Sequence, residues 1–301
     1  MNIFRGAFTA LITPMTETGK VDYTALGKLV KLQLEGGIDG FVPLGTTAET
    51  PTLDEKEEDK IISIIFKQVR AFEKKTGKKI PIVLGASSNN TIDAVRYCKR
   101  AKKAGADGAL VVTPYYNKPS AEGIFRHFEA VSKVGIPIIV YNIQGRTGLN
   151  IPTALLERIA TLPNIAGVKE ASGNMTQMME VIEKVKGKNP DFSVMSGDDG
   201  LALPLVAAGG DGVISVVSNL TPELITQMIK ATLSGDLDTA RKINYRLQPM
   251  FRAAFIDGNP SSIKYAMNVK KLPSGGLRLP LVEVKPEAKK YIEQALKDCK
   301  L

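Results

Sequence analysis

The sequence has no tryptophan, one histidine and two cysteines in 301 residues. Each scarcity narrows the chemistry. His127 sits alone in the helix-like segment Ile124–Phe128, without neighbours that would make it a base or a metal ligand. Cys98 and Cys299 lie far apart with no metal-ligand spacing, which argues against a disulfide framework or a zinc site and fits a reducing compartment. No apolar run reaches the roughly 18–20 residues that a membrane span needs. The N-terminal apolar stretch, Ala7–Ile12, is short for a signal peptide and is ended by Thr13-Pro14. No G-x-G-x-x-G pattern follows the first strand, which weighs against dinucleotide binding. The expected setting is cytoplasmic, with no membrane partner.

The balance that is present is ordinary for a globular chain: 44% hydrophobic and 24% charged residues, with a formal net charge of +9. The basic residues, such as Lys74, Lys75, Lys99, Arg100, Lys102 and Lys103, fall in helix-like segments. They are interleaved with acids and apolar residues, not gathered with aromatics. That reads as solvated helix faces and weighs against a nucleic-acid surface.

Strand-like apolar runs alternate with helix-like segments eight times. The runs are Ala7–Ile12, Gly40–Leu44, Ile80–Leu84, Ala109–Val112, Pro137–Tyr141, Ala166–Lys169, Ser193–Ser196 and Gly212–Val216. Runs that are apolar throughout predict a parallel sheet covered by helices, and eight units in this length predict an α/β fold, a (β/α)8 TIM barrel. Asp22, Asp54 and Thr91 mark helix starts. After Ser218 the pattern turns helical, over 222–233, 236–248, 249–268 and 286–298. The expected organisation is a catalytic barrel at 1–221 and a C-terminal helical region at 222–301.

The sixth run ends on Lys169, where a strand interior has no use for an ammonium group. A lysine at the end of a buried strand has a lowered pKa, and its neutral amine can attack a carbonyl to form a Schiff base. The bland alternative is a lysine that snorkels to solvent. Catalytic groups of a barrel gather where strands meet the following loops. Those ends supply Thr46, Thr47, Tyr115, Tyr116 and Tyr141, and the loop after the fifth strand supplies Arg146. An amine, several hydroxyls and a guanidinium form a coherent set. It contains no cysteine nucleophile, no clear carboxylate pair and no metal cage. Singly, Tyr141 packs like any buried ring, Thr46 caps a turn and Arg146 is a surface residue; together they point to one site.

Five stretches carry a family resemblance: Gly45-Thr46-Thr47-Ala48-Glu49, Thr113-Pro114-Tyr115-Tyr116-Asn117, Tyr141-Asn142 with Arg146-Thr147-Gly148, Lys169-Glu170-Ala171-Ser172-Gly173-Asn174, and Ser196-Gly197-Asp198-Asp199. They resemble the dihydrodipicolinate synthases, from about Phe4 to Ala266, within the wider superfamily of Schiff-base aldolases and lyases. The resemblance implies condensation of pyruvate with L-aspartate 4-semialdehyde in diaminopimelate and lysine biosynthesis. Lys169 would form the imine and Tyr141 would shuttle protons. Thr47 would link Tyr141 to Tyr116, which reaches in from a neighbouring subunit. Thr46 and Thr47 would hold the pyruvate carboxylate, Arg146 that of the semialdehyde, and Gly197 and Ile214 would line the imine pocket. The covalent imine replaces any cofactor, and the usual assembly is a homotetramer built as a dimer of dimers.

The resemblance also implies a regulatory lysine site at Asn89, Asp93 and Tyr115. The histidines that many inhibited members carry there are replaced by acids around Glu55 and Glu58, which predicts weak or altered inhibition. Two further departures stand out. Ala48 replaces the last glycine of the Gly-Thr-Thr-Gly-Glu motif, and Gln144-Gly145 replaces a Pro-Ser. The second change is expected to loosen the loop carrying Arg146. Two other readings stay open: another pyruvate-dependent aldolase, such as an N-acetylneuraminate or 2-keto-3-deoxy sugar acid lyase, and a non-catalytic keto-acid-binding barrel.

Overall fold

A computed structural model describes residues 4–301. The strands are β1 (Gly6–Ala10), β2 (Gly40–Val42), β3 (Val83–Gly85), β4 (Gly108–Val112), β5 (Ile138–Asn142), β6 (Ile165–Glu170), β7 (Ser193–Ser196) and β8 (Gly212–Ser215). They form one sheet of order β2-β1-β8-β7-β6-β5-β4-β3, and every pair with a defined register is parallel. Helices alternate with the strands, and a helical C-terminal part follows. This is the TIM-barrel fold expected from the eight alternating runs. The strand residues are almost all buried, which is why the runs read as continuously apolar rather than alternating.

The chain falls into two compact units. One comprises the residues to Gly6 together with Pro81–Ile214; the other comprises Ala7–Ile80 and Ser215–Leu301. In the first, β3 to β7 and most of β8 lie side by side, covered by α-helices at Thr91–Lys103, Ala121–Ser132 and Thr153–Ala160 among others. His127 lies on the second of these, buried, with Nδ1 3.0 Å from the Thr91 hydroxyl. Burial pushes its pKa down to about 4, so the ring is neutral. The second unit holds the β1–β2 pair, helices Tyr23–Glu35 and Glu55–Thr76, and the C-terminal helices.

Local chemistry sets the element ends. Asp22 caps the Tyr23–Glu35 helix through the Ala25 amide. Asp54 and Glu57 form a reciprocal capping box at the next helix, which closes on Gly77 in the left-handed region. β2 stops two residues short of the expected Leu44, because Leu44 itself takes a left-handed φ of 57°. β3 begins later than Ile80: Pro81 has no N–H, and the Ile82 amide is taken by the Asp107 carboxylate. The expected break at Pro249 is also displaced. The helix runs Leu237–Ala253 through the proline, and the next is Ser261–Val269. Proline removes a single amide donor there, while Leu247, Met250, Phe251 and Ala253 keep one buried face continuous across it.

Candidate active site

In the first unit, the ends of β5, β6 and β7 are locked in register. Tyr141 pairs with Lys169, Lys169 with Met195, and Glu170 with Ser196. The pairing continues past the strands, from the Ala171 amide to the Asn142 carbonyl at 2.9 Å and from the Gly197 amide to the Glu170 carbonyl at 2.8 Å. Lys169 is therefore held from both sides. Its Nζ sits 4.3 Å from the centroid of the Tyr141 ring.

Both side chains are buried. Burial drops the Lys169 amine to a pKa of about 7; the Asp199 carboxylate opposes that fall and the Arg146 guanidinium adds to it. Burial pushes the Tyr141 phenol up to about 12, with Arg146 acting against the rise. Near neutrality about half of the amine is uncharged, facing a phenol that keeps its proton. An amine of that kind is a competent carbonyl nucleophile, and the phenol is a proton donor rather than a standing base.

Gly197 sets the room around the amine. A Cβ built there would meet Lys169 Cε at 2.9 Å and Ala171 Cβ at 2.8 Å. Ile214 is buried on β8. Arg146 is exposed, on a helical turn Gln144–Thr147 where the sequence suggested an open loop. The Thr147 hydroxyl lies 3.0 Å from the Ile143 carbonyl and 2.9 Å from that of Leu149, and Gly148 closes the turn at a φ of 72°. Gly145 has nothing within 4 Å of a built Cβ, so a side chain would fit at this position.

A polar chain behind the strand ends carried no role in the sequence reading. The Glu170 carboxylate, fully buried, accepts from Asn142 Nδ2 at 3.0 Å and from the Ser172 amide at 2.7 Å. Asn142 Nδ2 also reaches Asn150 Oδ1 at 2.8 Å, and Asn150 donates to Gln177. Asp199 is the other residue missed: a buried acid following β7, which acts on the amine electrostatically.

Tyr116 stands nearly free of its own chain, 90% exposed, with a left-handed φ of 71°. Tyr115 is 38% exposed. Asn117 Nδ2 donates to the Asn89 carbonyl at 2.9 Å, which joins the Tyr115 segment to Asn89. Asp93 accepts from Asn90 at 2.8 Å and pairs with Arg96 at 3.3 Å.

In the second unit, Thr46–Ala48 form a single 3-10 turn in which Thr46 is exposed and Thr47 buried. The turn is closed by the Ala48 amide on the Gly45 carbonyl and by Thr13 Oγ1 on the Ala48 carbonyl at 2.8 Å. The left-handed position is Glu49, not Ala48, so the alanine sits in the turn without strain. Glu49 is buried and paired with Lys264 at 2.7 Å; Lys264 also donates to the Thr13 carbonyl at 3.0 Å. Asn259 Nδ2 donates to Thr47 Oγ1 at 2.9 Å. Lys264 and Asn259 lie on and just before a C-terminal helix, away from the strand ends where barrel chemistry is expected. A lysine amid Ile263, Ala266 and Met267 on a helix was the readable signal.

The model of the dihydrodipicolinate synthetase family matches residues 3–299. The chain belongs to the dihydrodipicolinate synthetase family. As a member it is a lyase that works through a Schiff base. Its sequence is 46% identical over 295 residues to the 4-hydroxy-tetrahydrodipicolinate synthase of Protochlamydia amoebophila, covering 98% of this chain and 96% of the relative. Among solved structures, it is similar to the dihydrodipicolinate synthase of Aquifex aeolicus, with a TM-score of 0.91, 40% identity and 99% of each chain covered. It is likewise similar to the family member from Cyanidioschyzon merolae solved with lysine bound, with a TM-score of 0.92, 37% identity and 100% of each chain covered. Among the described residues no group of metal-ligating side chains is clustered, and no helix is long and apolar enough to cross a membrane.

Proposed function

We propose that this enzyme condenses pyruvate with L-aspartate 4-semialdehyde, as a 4-hydroxy-tetrahydrodipicolinate synthase of diaminopimelate and lysine biosynthesis. The observation that carries the reading is the buried Lys169 amine, with a pKa near 7, against the Tyr141 ring. Lys169 Nζ adds to the pyruvate carbonyl carbon, and loss of water gives the imine. The imine draws electrons from the methyl group, which loses a proton to leave an enamine. The enamine carbon then attacks the aldehyde carbon of the semialdehyde. Tyr141 hands protons to and from these intermediates, in a relay with Thr47 and a neighbouring subunit's copy of Tyr116. Its raised pKa supports a relay, since a phenolate is costly there.

Thr46 and Thr47 hold the pyruvate carboxylate, and Gly197 and Ile214 line the imine. Arg146 takes the second carboxylate, a task for which a planar guanidinium is suited. The imine is made on the substrate itself, so no cofactor takes part. Residues 1–221 act as the catalytic barrel, with 222–301 as the helical region. The near-complete exposure of Tyr116 supports a homo-oligomer, with a dimer of dimers as its form. The Asn117–Asn89 hydrogen bond supports a regulatory lysine site at Asn89, Asp93 and Tyr115, weakened by the acids at Glu55 and Glu58. The enzyme works in the cytoplasm, away from membrane and nucleic acid.

The test is borohydride reduction in the presence of pyruvate, read by intact mass. The wild type gains a permanent adduct and Lys169→Ala gains none. Arg146→Ala keeps the adduct but loses turnover with aspartate semialdehyde. A wild type without an adduct would remove the Schiff base and leave a keto-acid-binding barrel. An adduct with turnover only on sugar-derived aldehydes would make it a different aldolase.

A further inference from the structure

We propose that Asn259 is a positioning residue that fixes the direction in which the Thr47 hydroxyl passes a proton. The inference rests on the proposed relay role of Thr47 and concerns what orients it.

Asn259 Nδ2 lies 2.9 Å from Thr47 Oγ1, and both side chains are buried. An amide nitrogen carries two hydrogens and no lone pair available to accept. Thr47 Oγ1 must therefore be the acceptor in this bond. A threonine hydroxyl has one hydrogen and two lone pairs, so the bond uses one lone pair and leaves the hydrogen for donation elsewhere. With Oδ1 in that position instead, the hydroxyl would spend its hydrogen on the amide and have none to pass on. In a buried setting this polarity is held firmly, because a mismatched pair finds no water to replace it.

Both partners are fixed by their own surroundings. The Thr47 backbone sits in the 3-10 turn, with Thr13 on one side and the Glu49–Lys264 pair on the other. The Asn259 segment is tied at the helix start: Ser262 N donates to the Gly258 carbonyl at 3.0 Å, and Ser262 Oγ accepts from the Asp257 amide at 3.1 Å. Neither group has to search for the other during turnover.

Asn259→Asp is the discriminating variant, since it is nearly isosteric and reverses the bond. A carboxylate only accepts, so it captures the Thr47 hydrogen; a protonated carboxyl group can donate again. Steady-state kinetics with pyruvate and aspartate semialdehyde across pH should then give a specific pattern. At pH 8 kcat falls about a hundredfold to ten-thousandfold, the scale of a lost proton-transfer step. Relative to wild type at the same pH, the deficit shrinks as pH falls towards the carboxyl pKa. Asn259→Ala loses activity to a similar degree at every pH. In a Thr47→Val background, Asn259→Asp adds no further loss. Thermal melting and borohydride trapping at long incubation report that the variants are folded and competent to form the imine.

A wild-type kcat for Asn259→Asp at pH 8, or a deficit that ignores pH, overturns the inference while leaving the Schiff-base reading intact. A wild-type kcat for Thr47→Val overturns the relay and this inference with it. Absence of a pyruvate adduct in the wild type is a separate failure, that of the Schiff-base reading.

Discussion

Lys169 and Tyr141 are register partners on adjacent parallel strands, and the amine of one lies 4.3 Å from the ring centroid of the other. Parallel pairing with defined register sets two side chains of neighbouring strands on the same face. No loop has to bring them together. Two buried groups of opposite tendency, one pushed down to about 7 and the other up to about 12, result from one cause, the removal of water.

Imine formation should follow the Lys169 titration. Burial disfavours the ammonium, so the neutral fraction rises with pH through about 7, from roughly a tenth at pH 6 to roughly nine-tenths at pH 8. The initial rate of borohydride-trapped adduct formation, measured from pH 5.5 to 8.5, should rise with a midpoint near 7. A midpoint near 10 would mean that the amine is hydrated. The same shift bears on stability. Below pH 7 the folded chain carries a buried ammonium at full cost; between 7 and 10.5 the unfolded chain binds more protons, so stability rises with pH. Lys169→Met should therefore be more stable than wild type below pH 7, with the difference fading towards pH 10.5 in urea titrations.

Gly197→Ala should injure catalysis more than folding. The new methyl group would lie 2.9 Å from Lys169 Cε, so the lysine stem must move by a fraction of an ångström or more. Overpacking of this kind costs about 1–3 kcal/mol of stability. Misplacement of the amine should lower kcat by up to about a hundredfold. Kinetics and thermal melting on one sample separate the two effects, and a variant with wild-type kcat would show that the lysine stem is not confined.

Lys264→Met should be destabilising well beyond a surface change. It strands the Glu49 carboxylate, which is buried and has Lys264 Nζ 2.7 Å away. Breaking one partner of a buried pair costs about 3–5 kcal/mol. Glu49→Gln combined with Lys264→Met should recover much of the loss, because no lone charge remains. Equal denaturation midpoints for Lys264→Met and wild type would assign the pair no weight.

What could be read in the sequence was what is local. Lys169 stood out because an apolar run ended on an ammonium, and Tyr141 because it closed the run before it. The eight strands were legible because both faces of each are buried. The ends of β2 and β3 were not, because they depend on a left-handed Leu44 and on the Asp107 carboxylate, which binds the Ile82 amide 25 positions upstream. Asp199 was quoted within a motif but given no role, since only the fold brings its charge to bear on Lys169. The pairings of Asn259 and Lys264 were not legible, for a stronger reason. Their partners, Thr47 and Glu49, lie 212 and 215 positions earlier, and no periodicity spans such a gap.

That gap also sets a clock on synthesis. The turn at 46–49 leaves the ribosome early, but the lysine that neutralises its glutamate is not made until most of the chain has followed. Contacts of such separation close late, after the loop entropy between them has been overcome. The nascent chain therefore carries Glu49 without its ammonium partner through most of its translation, and a chain released before Lys264 can close the turn at Thr46–Ala48 but cannot bury Glu49 as an ion pair beside it.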